Sequence, residues 1–301
     1  MLKKQIQFFF YGNYFYGFCA VALSIETALQ LNISLNNFIY YLFVFTATIF
    51  YYTLAFPGEV EPGATNKRAA WYARNKTVVL YGKIICAAVS TLSGIYLLIQ
   101  NIFVILQFAL WQWIVSALII IQAICYYGFP TASEKRISLR STGWLKPFVI
   151  GFVWAGLVTI GPVFLHQYLN GETYQPILLF WFFIKNWMFI TVLGIMFDIK
   201  DYATDYNKQL KTFVVRVGLR KTIFYIIIPL SIIGFVSYIF FVTVHQFPFI
   251  RIVFNCIPFI LLVIVAWSLH KRKPILYYLA IIDGLMLLIA VCGIAGVLLS
   301  N

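Results

Sequence analysis

Apolar runs of about twenty residues recur along the whole chain, and that length is what an α-helix needs to cross the ~30 Å hydrocarbon core of a bilayer. They fall at roughly 7–30, 37–56, 78–98, 102–126, 147–167, 176–197, 222–244, 250–269 and 274–299. A lipid environment offers backbone groups no hydrogen-bond partners, so each run must satisfy its own N–H and C=O groups within a helix. The expectation is an all-α, polytopic membrane protein of nine transmembrane helices, forming a single transmembrane domain over residues 1–301. Charge agrees: 10% of the residues are charged and 62% are hydrophobic, whereas a soluble domain carries about 25% charged residues. The first run follows a basic start, but it is too long for a signal-peptide core and no small-residue cleavage site closes it. It reads as the first span.

Two residue types that often carry chemistry do not do so here. Cys19, Cys86, Cys125, Cys256 and Cys292 all lie inside apolar runs and lack C-x-x-C spacing, so they read as small buried hydrophobes rather than disulfides or metal ligands. His166 and His245 lie at one set of span ends and His270 at the other, and no chemistry is assigned to them.

The formal net charge is +13, which in a soluble chain would suggest nucleic acid. Its placement excludes that partner. Apart from Lys185 and Arg251, the Lys and Arg residues gather at the amino terminus and at the connections 2–3, 4–5, 6–7 and 8–9. Such alternation is the positive-inside pattern. It puts the amino terminus in the cytoplasm and, for an odd number of spans, the carboxyl terminus outside; a bacterial inner membrane is the expected location. Connections 2–3, 4–5 and 6–7 are also long, polar and charged. Long connections in a compact fold tend to be functional or disordered, and their aromatic and mixed-charge content argues for a working surface.

The chain has nine acidic residues, and Asp198, Asp201 and Asp205 stand together in "FDIKDYATDYNKQLKT". The spacing i, i+3, i+7 places them within about 60° of arc on a helix. Three carboxylates on one stripe repel one another and call for a cation. Mg²⁺ suits such a stripe, because it is usually held by one or two carboxylates plus substrate phosphates. The competing reading is an exposed polar loop whose aspartates pair with Lys200, Lys208 or Lys211. Basic residues also cluster nearby: Lys208, Lys211 and Arg216 follow the stripe, Lys67, Arg68 and Arg74 lie in connection 2–3, and Lys135, Arg136, Arg140 and Lys146 in connection 4–5. Carboxylates for a metal beside Lys and Arg donors point to a diphosphate. With 30 Phe and 20 Tyr in the chain, the rest of such a ligand would be a hydrocarbon tail.

The segment "DIKDYATDYNKQLKTFVVRVGLRK" resembles the second aspartate-rich motif of the UbiA superfamily of intramembrane prenyltransferases. The core pair is Asp201 and Asp205, Thr212 follows seven residues later, "VRVG" closes the motif, and Asp198 supplies the upstream acid. "YYGFPTASEKRISLRSTGWLKPFVIGFVWA" resembles the connection between helices 4 and 5, and "NKRAAWYARNK" the polar stretch after the first motif in some bacterial members. The resemblance implies nine transmembrane helices with active-site loops after helices 2, 4 and 6. It implies Mg²⁺-dependent transfer of a prenyl group from an isoprenyl diphosphate to a hydrophobic acceptor, aromatic or lipid-linked, with the surrounding membrane lipid as the other partner. Asp201 and Asp205 would be catalytic, Asp198, Asp201 and Asp205 would hold the metal, and Lys67, Arg68, Lys135, Arg136, Arg140, Lys146 and Lys211 would bind the diphosphate.

The chain departs from that pattern in two places. The first motif should close helix 2, but "FTATIFYYTLAFPGEVEPGATNKR" contains no Asp. Tyr51 or Tyr52 stands near the expected Asn, Phe56 and Val60 stand at the aspartate positions, and Glu59 and Glu61 are the nearest acids. A Gly usually stands four residues after the last Asp; here it is Gln209. The missing motif supports an alternative, a degenerate member that binds a polyprenyl lipid or a partner without transferase activity.

Besides Lys83 and Arg251, which stand near the ends of their runs, the charges within spans are Glu26, Lys185 and Asp283. Such residues face a bundle interior or a cavity. Lys185 is expected either to pair with Asp283 or Glu26, or to sit with Asp283 near the acceptor; a transporter using these three charges is a further reading. Arg251, near the outer surface, is expected to snorkel.

Overall fold

The structure is a computed structural model that describes residues 2–54, 67–128, 139–166, 175–207 and 209–300. Every regular element among these residues is a helix. Seven are long and apolar enough to cross a membrane: Lys76–Gln100, Leu110–Tyr127, Thr142–Phe164, Pro176–Ala203, Leu219–Val244, Phe249–Ser268 and Ile275–Leu298. Lys4–Tyr11 and Tyr14–Gln30 make an eighth if the pair, bent by 58°, is one span; Phe38–Thr53 is apolar but only 16 residues long. The chain is an integral membrane protein. Its contacts divide into two compact units, Met1–Ala22 with Leu35–Gln107, and Leu23–Ser34 with Phe108–Asn301.

The first unit contains α1 (Leu2–Tyr11), the start of α2 (Tyr14–Gln30), α3 (Phe38–Thr53), α4 (Lys67–Arg74) and α5 (Lys76–Gln100). α1 and α2 are broken apart at Gly12 and Asn13, and Asn13 takes a φ of 69°, a left-handed conformation that Asn tolerates better than most residues. The break aims the fully buried Asn13 side chain into a polar knot. Asn13 donates to Thr53 Oγ1 at 3.1 Å and Tyr72 Oη at 3.0 Å, Tyr72 donates to the Tyr11 carbonyl at 2.9 Å, and Arg68 donates to that carbonyl and to Asn13 Oδ1. Buried polar groups must find such partners, so the knot ties α4 and the end of α3 to the α1–α2 break. One whole side of α5, including Leu80, Ile84, Ile85, Leu92 and Ile99, is exposed apolar surface, which suits lipid.

The second unit contains α6 (Leu110–Tyr127), α7 (Lys146–Ala155), α8 (Pro176–Asn207), α9 (Ile228–Val244), α10 (Phe249–Ser268) and α11 (Gly284–Leu298). α8 is its spine and buries Phe182, Phe189, Leu193, Ile195 and Met196. Small residues let α7 lie close against it, as is usual where helices pack without a hydrophobic drive. A Cβ at Gly151 would stand 2.4 Å from Thr191 Oγ1 and 2.9 Å from the Trp187 carbonyl. Trp187 Nε1 donates to the Phe148 carbonyl at 3.0 Å, and Asn186 to Thr159 Oγ1 at 2.9 Å. Gly151→Val is therefore expected to separate α7 from α8 and cost about 1–3 kcal/mol, the usual range for overpacking, read as a lower thermal midpoint in detergent.

The in-span charges resolve one open pairing and correct one expectation. Lys185 Nζ lies 2.6 Å from Glu26 Oε1, with both side chains buried; the alternative pairing of Lys185 with Asp283 is not the one formed. Asp283 is itself buried. Arg251 does not snorkel freely: it donates to Gln30 Oε1 at 2.7 Å and to the Gln30 carbonyl at 2.5 Å, and its guanidinium lies 4.3 Å from the Phe247 ring centre. The reason is chemical, since a guanidinium with two fixed acceptors and a ring face nearby gains more from them than from interfacial water.

Candidate functional site

α8 has 32 residues, about 48 Å at 1.5 Å per residue, so it outruns a ~30 Å hydrocarbon core. Its last turns carry the aspartate stripe. Asp198 and Asp205 are seven residues apart and nearly eclipsed on the helix, and both are buried, at 0% and 6% exposure. Asp201 lies about 60° off that line, and a third of its side chain is exposed. The stripe thus faces inward, and the exposed-loop reading fails for Asp198 and Asp205.

The chain turns sharply after the stripe. Leu210 N–H bonds the Asp205 carbonyl at 2.9 Å and Gln209 N–H the Tyr206 carbonyl at 3.1 Å, a helix-ending turn that needs one left-handed residue. That residue is Gln209, at φ 55°. The position where the resembled motif carries Gly is therefore one where the backbone favours Gly. Gln209→Gly is expected to raise stability by about 0.5–1 kcal/mol, since a side chain in the left-handed region costs roughly 1–2 kcal/mol and added chain entropy takes part of that back. A denaturant titration would register it.

Thr212, almost fully buried, then caps Phe213–Val217 by accepting from Val215 N–H at 3.4 Å, and Gly218 ends that short helix at φ 83°. The segment before α7 braces this turn. Gly143 has φ 64°, and a Cβ there would stand 2.6–2.9 Å from the Lys211 backbone. Only glycine meets both demands, so Gly143→Ala is expected to cost about 2–4 kcal/mol from strain and clash together, measured by thermal unfolding. Sequence reasoning missed this residue; its one signal was an isolated Gly ahead of "WLK".

The brace brings Lys146, the first residue of α7, onto the stripe. Its Nζ lies 2.6 Å from Asp198 Oδ1. Lys200 Nζ lies 2.6 Å from Asp201 Oδ1, a partly exposed pair of neighbours worth little. Among the described residues, nothing donates a hydrogen bond to the buried Asp198 Oδ2 or Asp205 Oδ2. Leaving a buried acceptor open costs about 1–3 kcal/mol, so two on one helix face call for a reason.

Burial pushes the Asp205 carboxyl up to about 6; the Lys146 ammonium opposes this, and the Asp198 and Asp201 carboxylates reinforce it. The unfolded chain releases this proton near the ordinary carboxylate value of about 4, earlier than the folded one. The stability gained from protonated Asp205 is thus complete below about pH 4 and lost as pH rises through about 6. In the presence of chelator, the wild-type thermal midpoint should fall over that window, and Asp205→Asn should flatten the fall, a difference of about 3 kcal/mol.

The remaining expected ligands are placed differently. Lys211 is exposed, with its backbone against Gly143. Arg68 is buried in the knot of the first unit. Lys135, Arg136, Lys208, Phe56, Glu59, Val60 and Glu61, and the side chains of Lys67 and Arg140, lie outside the described residues. Elsewhere in the second unit, Trp181, Phe182, Met188, Tyr238, Phe241 and Phe259 line an apolar cleft that Lys185 borders, about 20 Å along α8 from Asp198.

This architecture is that of a polytopic helical membrane bundle with an inward-facing acidic stripe at the end of its longest helix. No protein-family model matches the chain, and no curated protein matches it in sequence. A solved structure, described as a digeranylgeranylglyceryl phosphate synthase in membranes, is similar to it at a TM-score of 0.58 and 14% identity over 99% of each chain. At this identity, what is shared is the fold.

Proposed function

We propose that the chain is an intramembrane prenyltransferase that moves an isoprenyl group from its diphosphate to a hydrophobic acceptor, aromatic or lipid-linked, with Mg²⁺ as cofactor. The observation that carries this reading is the pair of buried, open carboxylate oxygens on Asp198 and Asp205 beside the Lys146 ammonium. Among the described residues no group of three or more His, Cys, Asp or Glu is placed to hold a metal by itself. The donor set, hard carboxylate oxygen, therefore fits Mg²⁺ only when the ligand's phosphate oxygens complete the shell, which is how this ion is commonly held. When bound, the ion would draw charge from the diphosphate and favour its departure.

The protein's own residues do the rest. Asp198, Asp201 and Asp205 present oxygens from one helix face, and the turn fixed by Gln209, Thr212 and Gly143 holds that face still. Lys146 supplies a charged donor to the diphosphate, with Lys67, Arg68, Lys135, Arg136, Arg140 and Lys211 as further candidates. The donor's C–O bond breaks, the diphosphate leaves, the acceptor's carbon or oxygen bonds the allylic carbon, and the acceptor gives up a proton. The hydrocarbon tail lies among the aromatic side chains of the bundle. In this reading the bent α1–α2 pair and α3 both count as spans, for nine in one transmembrane domain over 1–301. The stripe then faces the cytoplasm of a bacterial cell, and the carboxyl terminus lies outside.

Purified protein in detergent, given Mg²⁺, an isoprenyl diphosphate and membrane lipid extract, should release pyrophosphate, and chelator should stop it. The absence of Asp from the end of α3 and the residues after it favours a second reading, a member of this fold that binds the isoprenyl compound without turning it over. Saturable binding with no pyrophosphate release would select that second reading, and neither binding nor release would remove both.

A further inference from the structure

The Lys146–Asp198 pair has a consequence for the order in which ligands enter. In the free protein the ammonium rests 2.6 Å from a carboxylate oxygen that would serve a metal, and four-fifths of the Lys146 side chain is itself buried. A divalent cation arriving alone meets that ammonium at the mouth of the stripe, and like charges at such range repel strongly in a partly desolvated site. A metal-free diphosphate meets the opposite obstacle: three carboxylates on α8, with only Lys146 and Lys200 paired to them among the described residues. Neither half of the ligand is welcome alone. Together they solve both problems, because the diphosphate offers Lys146 a new anionic partner and releases Asp198 to the metal. The two open oxygens on Asp198 and Asp205, each nine-tenths buried or more, then gain a cation as Lys146 moves by no more than a side-chain swing.

We propose that Lys146 is a latch that makes metal binding conditional on diphosphate, exchanging Asp198 for the diphosphate when the two arrive together. This rests on the proposed function, since it assumes that the stripe is a metal and diphosphate site. Its chemistry is an exchange of ion pairs, and no covalent bond changes.

The test uses full-length protein in detergent, with Mn²⁺ followed by its paramagnetic resonance signal and inorganic pyrophosphate as the second ligand. Wild type should bind Mn²⁺ weakly alone and at least about tenfold more tightly with pyrophosphate, as expected for removal of one like charge from close range. Lys146→Met should bind Mn²⁺ alone about tenfold more tightly than wild type and lose most of the pyrophosphate effect. Lys146→Arg should keep it. Because Lys146→Met leaves Asp198 without a partner, Asp198→Asn serves as a second arm: it frees the ammonium and should tighten binding of metal-free pyrophosphate. If wild type binds Mn²⁺ equally well with and without pyrophosphate, or if neither Lys146→Met nor Asp198→Asn shifts these affinities, the latch is overturned while the site stands. If wild type binds neither Mn²⁺ nor pyrophosphate under any condition, the proposed function falls with it.

Discussion

Lys185→Met is expected to lower stability by about 3–5 kcal/mol, the cost of stranding one member of a buried ion pair. Lys185 Nζ and Glu26 Oε1 are 2.6 Å apart, Glu26 is fully buried, and its second oxygen has no donor among the described residues. Without the ammonium, that carboxylate must either stay charged in an apolar bundle or take up a proton. Glu26 has little room to move away, because it already lies where a Cβ on Gly293 would stand, 2.5 Å from the nearest Glu26 atom. The double variant Glu26→Gln/Lys185→Met removes both charges and should recover most of the loss. A thermal or denaturant titration of the three proteins would show it as strong non-additivity. Additive losses would mean that the two charges do not depend on each other.

Asp205→Asn is expected to reduce pyrophosphate release by about two to three orders of magnitude, the effect typical of removing one charge-stabilising group from a preorganised site. Asn keeps the shape and the helix but cannot carry the negative charge that a metal needs. Asp205 sits beside the turn that ends α8, and its carbonyl accepts from Leu210 N–H at 2.9 Å through the backbone, so the substitution leaves the local fold in place. Stability in chelator should change little at pH 4 and improve near pH 7, where ionised Asp205 is the less favourable form. Lost turnover together with equal or better stability would separate a chemical role from a structural one. Asp201→Asn is expected to be milder, because Asp201 is partly exposed and already paired with Lys200.

Much of the fold can be read from local pattern. Apolar runs mark the helices because a segment in lipid must close its own hydrogen bonds, whatever its neighbours do. The run expected at 102–126 shows the limit: the chain breaks after Leu106 and restarts at Leu110, and composition alone does not place such a break. The aspartate stripe was legible because i, i+3, i+7 is a property of one helix. Its inward orientation was not, since the helix could have been turned to put the same face in water. The positive φ at Gln209 was marked indirectly, by a residue that differs from the Gly of the resembled motif.

The pairings were open at the level of sequence. Lys185 had two possible acids, and Glu26 was chosen because the chain placed it, rather than Asp283, within reach. Lys146 was one of several basic residues near the stripe, and only the brace of Gly143 on Lys211 singles it out as the partner of Asp198. The knot of Asn13, Thr53, Arg68 and Tyr72 had no sequence signal, as its members come from three separate places in the chain, the α1–α2 break, the end of α3 and α4. Helix positions, membrane residence and the acidic stripe depend on neighbours along the chain, and local pattern was enough to specify them. Which charge meets which was decided by tertiary structure, because a buried pair forms only where packing brings two distant side chains within about 3 Å and removes the water that would otherwise satisfy each alone.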